Sequence, residues 1–221
     1  MVKNVLLAMV VLIAVTQESF GEMVFSENMG TPSGTTSTSS NIFQNSGTFT
    51  FTGTGDVRST SPSNVYAGAS AGGNVFLTNT AGTNFTIGGI NTSNYVTGSL
   101  ALTFGALKSS TASNLTELQV SYSTDSLAFT SLAFAAQPTG NGTAVWRSVA
   151  ISDANLIPIS STLSLRWTNL STTPSFRIDD IAFNGSVTAV PEPTSIALVS
   201  LMCCTGFVAA FRRRIAKSKI A

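Results

Sequence analysis

Apolar and polar side chains alternate with a period of two along the middle of this 221-residue chain. Three segments carry the pattern clearly, with apolar side chains on one face at Leu100, Leu102 and Phe104, at Leu118, Val120 and Tyr122, and at Leu163, Leu165 and Trp167. This spacing is typical of strands with one buried face, because successive side chains of a strand point to opposite sides of the sheet. The pattern predicts half-buried β-strands.

Weaker runs of the same kind predict further strands, at 24–26, 48–52, 74–78, 84–87, 129–134, 146–151 and 176–184. Residues rich in Gly, Asn and Asp at 53–56, 71–74 and 139–142 predict the turns between them. The segment 31–40 is almost free of apolar side chains and predicts a long loop. About ten strands and no helix predict an all-β fold, a two-sheet antiparallel β-sandwich of the jelly-roll type.

Composition removes several kinds of chemistry. The chain has no histidine, which excludes Ser-His-Asp catalysis and zinc sites with histidine ligands. Its two cysteines, Cys203 and Cys204, are adjacent and lie in an apolar run near the C-terminus, where they cannot crosslink the sandwich. The segment 22–190 holds five basic and eight acidic residues, a net charge of −3, so nucleic acid is not an expected partner.

The N-terminal segment 1–21 has the layout of a cleavable export signal. Lys3 precedes the apolar run 5–15, and small residues stand at Ser19 and Gly21, the two positions that signal peptidase reads. The alternative, an uncleaved anchor, is disfavoured because the apolar run is too short to span a bilayer. We therefore expect cleavage by signal peptidase after Gly21.

The C-terminal segment 190–221 has three parts. A polar stretch, 190–195, holds Pro191, Glu192 and Pro193; an apolar stretch, 196–211, predicts a transmembrane helix; and a basic stretch, 212–221, begins with Arg212, Arg213 and Arg214. Arginines next to an apolar segment stay on the cytoplasmic side of the inner membrane. The region 22–189, the predicted sandwich domain, is therefore expected on the far side.

These three parts, in this order, resemble the PEP-CTERM sorting signal. The resemblance implies that a membrane processing enzyme of the exosortase type recognises and removes the tail. The protein would be anchored in the inner membrane only transiently, then passed to the outer surface or extracellular matrix of a Gram-negative bacterium that makes exopolysaccharide. A plain tail anchor is the alternative.

The alternation breaks in the last predicted strand. Phe176 and Ile178 have one parity, and Ile181 and Phe183 have the other. A β-bulge at the intervening acids, Asp179 and Asp180, would keep all four apolar side chains inward. Two adjacent carboxylates need a counter-charge, which Arg177 or a hard cation such as Ca²⁺ would supply.

Phe25-Ser26-Glu27 and the segment from Phe176 to Ile181 together resemble the galactose-binding-like jelly rolls, a group that includes many carbohydrate-binding modules and MAM-type domains. That resemblance implies a structural Ca²⁺ held by Glu27 and Asp180, with Asp179 as a further ligand. Asn28, Met29 and Gly30 stand where many relatives have more acids. A metal-free bulge with an arginine salt bridge is the alternative.

Sugar-binding sandwiches use aromatic rings for stacking, and Tyr66, Tyr95 and Trp146 are the candidate rings here. The alternative for each ring is packing against the edge of the sandwich. No pair of carboxylates has a spacing that favours glycoside hydrolysis: Asp179 and Asp180 are adjacent, and Glu117 and Asp125 bracket a strand.

The sequence thus predicts a non-catalytic surface or matrix protein, associated with exopolysaccharide or another surface glycan through weak binding. One alternative is a carbohydrate-active enzyme of the polysaccharide lyase type, built on the same sandwich. Another is an inert coat or adhesion module.

Overall fold

Extended strands make up most of the regular structure in the computed structural model, which describes residues 21–142, 144–151 and 156–187. In chain order they are β1 (Gly21–Glu27), β2 (Thr35–Ser37), β3 (Thr50–Gly53), β4 (Asp56–Arg58), β5 (Asn74–Leu77), β6 (Asn84–Ile90), β7 (Ala101–Lys108), β8 (Leu118–Ser123), β9 (Thr130–Leu132), β10 (Arg147–Ala150), β11 (Leu163–Asn169) and β12 (Phe176–Ser186). A 3₁₀ turn lies at Thr38–Ser40. The predicted all-β fold is confirmed.

The strands form two sheets. The seven-stranded sheet runs β10-β7-β12-β5-β4-β2, with β1 also paired to β12, and the five-stranded sheet runs β3-β6-β11-β8-β9. Every strand pair is antiparallel. The predicted two-sheet antiparallel sandwich is therefore confirmed.

The core lies between the sheets and is built from alternate residues of the facing strands. Trp167 of β11 is fully buried. Its ring lies 6.0 Å from that of Phe85 on the neighbouring strand and 5.8 Å from that of Phe104 on the opposite sheet. Trp167 therefore joins the two layers, as expected for a large aromatic side chain in a sandwich core.

The predicted bulge in the last strand is confirmed. The register of β12 against β7 shifts between Asp179 and Ala182. Asp180 adopts a left-handed conformation, with φ of 48°. Ile178 and Ile181, on either side of the bulge, are both fully buried, because the extra residue restores the inward parity.

Two short strands were not predicted. The segment 31–40 is not a plain loop, because Thr35–Ser37 pairs with Asp56–Arg58. Asp56, which the sequence places in a turn, is therefore the first residue of β4. These strands lie at one edge of the seven-stranded sheet, where pairing needs main-chain hydrogen bonds and little apolar burial. β-branched threonines suit that position.

The predicted export signal at 1–20, the Pro-Glu-Pro stretch, the apolar segment 196–211 and the arginine triplet all lie outside the described residues. Gly21, the predicted cleavage position, is the first residue of β1. No described residue belongs to a helix long and apolar enough to cross a membrane. All the described residues belong to one compact unit.

Candidate functional site

The outer face of the seven-stranded sheet is covered by the loop between β4 and β5, residues 59–73, called here the 59–73 loop. Leu107, Arg177 and Phe76 form one cross-strand row on this face. Gly105 and Asp179 are paired two residues further along β7 and β12, and therefore on the same face. The loop contributes Tyr66 and several backbone carbonyls to the contacts below.

The backbone of the 59–73 loop is strained at three positions. Ser61, Val65 and Ala71 have positive φ values of 53°, 76° and 57°. This conformation is unusual for any residue with a Cβ atom and is an outlier for a β-branched one such as Val65. Val65 is also 82% exposed, so burial of its own side chain does not stabilise it. Strain of this kind is concentrated at functional loops.

Tyr66 anchors the loop to the sheet. Its hydroxyl donates a hydrogen bond to Oδ2 of Asp180. The ring lies against Gly105, where any Cβ atom would collide with the tyrosine side chain. Burial and the bond to Asp180 raise the pKa of Tyr66 above its ordinary value, so the phenol stays protonated.

The two bulge acids have different surroundings. Asp180 also accepts hydrogen bonds from the backbone N–H of Ser70, at 3.2 Å and 3.3 Å from its two oxygens. Asp179 is fully buried. Its Oδ1 accepts the backbone N–H of Asp180 at 2.8 Å, whereas Oδ2 has no partner among the described residues. Burial first, and then the charge of Asp180, raise the pKa of Asp179 to about 8.

Glu27 ends β1 next to the bulge and is almost fully buried. Its Oε1 accepts backbone N–H bonds from Met29 at 2.9 Å and Gln44 at 3.0 Å. Its Oε2 accepts the backbone N–H of Asn45 at 3.0 Å and the side-chain amide of Asn45 at 2.9 Å. Four donors therefore surround this carboxylate.

These acids, as placed, do not fit a calcium ion. Ca²⁺ takes six to eight oxygen ligands. Both oxygens of Glu27 are occupied by N–H donors, and one oxygen of Asp180 accepts the Tyr66 hydroxyl. The described residues contain no group of three acids able to hold a metal. Calcium at Glu27, Asp179 and Asp180 stays a prediction, to be decided by unfolding with calcium and with chelator.

The predicted salt bridge from Arg177 to the bulge acids is wrong. The side chain of Arg177 instead donates to Asn74 Oδ1 at 2.6 Å and to the carbonyl of Thr60 at 3.0 Å. Arg177 and Asp179 lie on the same face of β12, but the guanidinium is bound to Asn74 and Thr60 and not to the carboxylate two residues along the strand. Within the described ranges, the one salt bridge joins Arg58 to Asp56 at 2.9 Å.

Of the three candidate rings, the structure brings two to the same loop. Tyr66 belongs to the 59–73 loop, and Trp146 donates its Nε1–H to the carbonyl of Ser61 at 3.1 Å. Trp146 is only 4% exposed, so its ring faces are packed against protein and not open for stacking. Tyr95 lies elsewhere, against Gly185 and in a bridge with Val187.

Sequence reasoning missed Phe76 and Arg58 on this face. Arg58 stacks on the ring of Phe76, with 3.8 Å between the guanidinium carbon and the ring centroid, and Arg177 lies 4.9 Å from the same centroid. The order Asp56-Val57-Arg58 does alternate charged and apolar side chains, a strand signal too short to stand out beside a glycine-rich turn.

No protein-family model matches this sequence, and no curated protein matches it. Among solved structures, the xylan-binding domain CBM22-1 of Xyn10C from Paenibacillus barcinonensis is 15% identical, with a TM-score of 0.43 over 78% of this chain and 99% of that one. The K2 cleaved adhesin domain of Lys-gingipain is 12% identical, with a TM-score of 0.41 over 75% and 99%. The module CBM35 of Cellvibrio japonicus Abf62 is 12% identical, with a TM-score of 0.31 over 57% and 82%.

Proposed function

We propose that this chain is an exported, non-catalytic surface or matrix protein that is sorted by an exosortase-type enzyme and associates with exopolysaccharide or another surface glycan. The observation that carries the proposal is the three-part segment 190–221, with its Pro-Glu-Pro stretch, apolar run and arginine triplet. Export explains why an apolar run followed by arginines accompanies a β-sandwich with a polar surface rich in Ser and Thr.

The state of the carboxylates supports a non-catalytic role. A general acid or base must reach the proton that it transfers. Asp179 is fully buried, and Glu27 is occupied by four N–H donors. Asp180 accepts bonds from Tyr66 and Ser70. Glu27 and Asp180 therefore hold the fold together around the bulge, and Asp179 is out of reach of a substrate.

The alternative lyase function would need a tyrosine that gives up its proton easily. The pKa of Tyr66 is instead raised by burial and by Asp180, which makes it a poor base. Tyr95 also has a raised pKa, because of burial first and then the charge of Glu22. Neither candidate tyrosine has the electrostatic surroundings of a catalytic base.

The glycan part of the proposal is supported by two open cavities, each of about 270 Å³, that are lined in part by the 59–73 loop. One contains Gly68, Ser70 and Asp180, and the other contains Ser61, Phe76 and Arg177. Small-molecule sites occupy about 300 to 1,000 Å³, and both cavities lie just below that range, so each has room for no more than a single sugar unit. Weak binding of a polymer through such units is the expected mode.

Expression of the full chain in an exosortase-containing, exopolysaccharide-producing Gram-negative host tests the sorting. Intact mass of the surface-released protein should show that the signal and the residues after the Pro-Glu-Pro stretch are gone. A matched variant with Arg212, Arg213 and Arg214 changed to Gln should accumulate unprocessed. Full-length protein in the cytosol, with neither end cut, would overturn the proposal.

A further inference from the structure

The cavity that contains Ser61, Phe76 and Arg177 is called here the basic pocket. It lies on the outer face of the seven-stranded sheet, where β7, β12 and β5 meet the 59–73 loop. Its lining includes Ser61, Phe76, Lys108, Ser109, Ser175 and Arg177. A guanidinium and three serines thus line one space, together with Lys108, whose side chain points to the inner side of β7, and no acid belongs to the lining.

Arg177 is held in place by neutral groups. Its Nη1 donates to the Asn74 amide oxygen and to the Thr60 carbonyl, and its Nη2 lies 3.4 Å from the Thr60 hydroxyl. Its Nε hydrogen and second Nη2 hydrogen have no acceptor among the described residues. A guanidinium fixed in this way keeps its full positive charge and has donors to spare.

Lys108, whose side chain points to the inner side of β7, adds to that charge. Lys108 is buried and donates to the carbonyls of Ser113 and Pro138, which are also neutral. Arg58 is paired with Asp56, so that pair adds no net charge. No carboxylate among the described residues lies within 4.0 Å of the charged nitrogens of Arg177 or Lys108. Burial and the charge of Arg58 lower the pKa of Arg177, in keeping with an uncompensated cation.

We propose that the basic pocket binds the carboxylate of a uronic acid residue in an acidic polysaccharide. The planar guanidinium of Arg177 matches a carboxylate in a two-bond geometry, and the three serines can bond sugar hydroxyls. The inference rests on the proposed glycan-binding function and narrows it to acidic polymers. It also explains how a domain with a net charge of −3 can hold a polyanion: the positive charge is gathered in one pocket.

The test is binding of surface-released protein to immobilised polygalacturonate and to the same polymer fully methyl-esterified, with EDTA present to prevent calcium bridging. The wild type should bind the acid form at least tenfold more tightly. Arg177→Met should lose about tenfold or more in affinity for the acid form, as expected for a hydrogen bond to a charged group. Arg177→Lys should recover part of the loss, since it restores charge without the planar fork.

Arg166→Met is the matched control. Arg166 also stacks on a ring, 3.5 Å from the Phe129 centroid, and also bonds a hydroxyl, that of Thr86 at 3.0 Å. It lies on β11 of the five-stranded sheet and does not line the pocket. Its loss should leave polygalacturonate binding unchanged. An equal loss in the Arg166 and Arg177 variants would mean non-specific charge attraction and would overturn the inference.

A second variant keeps the inference falsifiable if Arg177→Met fails to fold. Ser175→Glu places an acid in the lining without removing any of the contacts of Arg177, and should repel the polymer by about tenfold. Unchanged binding by a folded Ser175→Glu variant would overturn the inference.

Failure of the inference and failure of the proposed function give different results. Equal binding to the esterified and acid polymers would overturn the carboxylate site and leave glycan association standing. Binding to neither polymer, nor to the exopolysaccharide of the host, would overturn both.

Discussion

The bulge acids and the basic pocket lie at two ends of the outer face of the seven-stranded sheet, and they differ in how their charge is compensated. At the bulge, Glu27 and Asp180 are surrounded by N–H and O–H donors of the protein, and Asp179 keeps its proton. At the basic pocket, Arg177 and Lys108 meet only neutral carbonyl and amide oxygens. The carboxylates at the acidic end are therefore compensated by donors of the protein itself, whereas the positive charge at the basic end is left for an anion from outside the fold.

This difference separates structural from functional polar groups. A buried carboxylate whose lone pairs are all occupied is part of the folding energy, because removing it leaves its donors unpaired. A cation whose partners are neutral contributes less to the free energy of folding, and its positive electrostatic potential remains available to attract an anion. Mutations at the acidic end should thus change stability, and mutations at the basic end should change binding.

At pH 4, the largest effect on stability is expected at Glu27. Glu27→Ala leaves four N–H donors without an acceptor near the end of β1, and should lower the free energy of unfolding by about 3 kcal/mol or more. Arg177→Met, the counterpart at the basic end, should cost less than about 1.5 kcal/mol. Urea unfolding of both variants measures the contrast, and an equal cost at the two ends would contradict it.

The next effect concerns pH. The pKa of Asp179 is raised from 3.8 to about 8 in the folded protein, so the unfolded chain loses this proton at a lower pH than the folded one does. Its contribution to stability is therefore complete below pH 4 and falls as the pH rises to 8, by at most about 1.4 kcal/mol per pH unit. Asp179→Asn should remove that slope and exceed the wild type in stability at pH 8. If the free energies of unfolding of the wild type and of Asp179→Asn changed in parallel from pH 4 to 8, the folded protein would not hold a proton on Asp179 at those pH values.

A smaller loss is expected at Tyr66. Tyr66→Phe removes the bond to Asp180 but keeps the ring against Gly105, and should cost about 1 to 2 kcal/mol. Tyr95→Phe is the matched control, since no hydrogen bond of the Tyr95 hydroxyl is seen among the described residues, and it should change stability by no more than about 0.5 kcal/mol. Thermal unfolding of both variants is the measurement. If the control loses as much, the Asp180 bond is not what anchors the loop.

The smallest effect is expected for calcium. Because N–H donors occupy Glu27, the midpoint of thermal unfolding should be the same in millimolar calcium as in EDTA. A ligand that binds only the folded state must raise that midpoint. A rise of several degrees that Glu27→Gln abolishes would establish the predicted calcium site instead, and would show that the acidic end also takes its counter-charge from outside.

Much of the fold follows from local pattern. The alternation at Leu163, Leu165 and Trp167 predicts a core strand. The parity change after Ile178 predicts the bulge. Both predictions follow because the apolar side chains must lie on the one buried face of the strand. The strands at Thr35–Ser37 and Asp56–Arg58 escaped detection. Their stability comes from main-chain pairing with neighbours distant in sequence, which leaves almost no trace in side-chain polarity.

The site was less accessible to sequence reasoning. The sequence predicts Glu27, Asp179 and Asp180 as calcium ligands, and that role stays a prediction. Gln44, Asn45 and Ser70, which donate hydrogen bonds to Glu27 and Asp180, come from polar loops with no periodic signal. The sequence predicts Trp146 as a stacking ring, but the ring is buried, and its Nε1–H is bound to Ser61 of the 59–73 loop. Loop placement depends on long-range contacts, which composition does not encode.

Under the proposed export, the pairing of β1 with β12 would set when the domain folds. The first strand cannot complete its hydrogen bonds until the last one has emerged, so the seven-stranded sheet would stay open during translocation. Contacts between distant parts of a chain also form slowly, because a long loop must be closed first. The domain is therefore expected to complete its sheet only when the segment next to the predicted sorting tail has crossed the membrane. Completion of folding and recognition of the tail would then occur at nearly the same time.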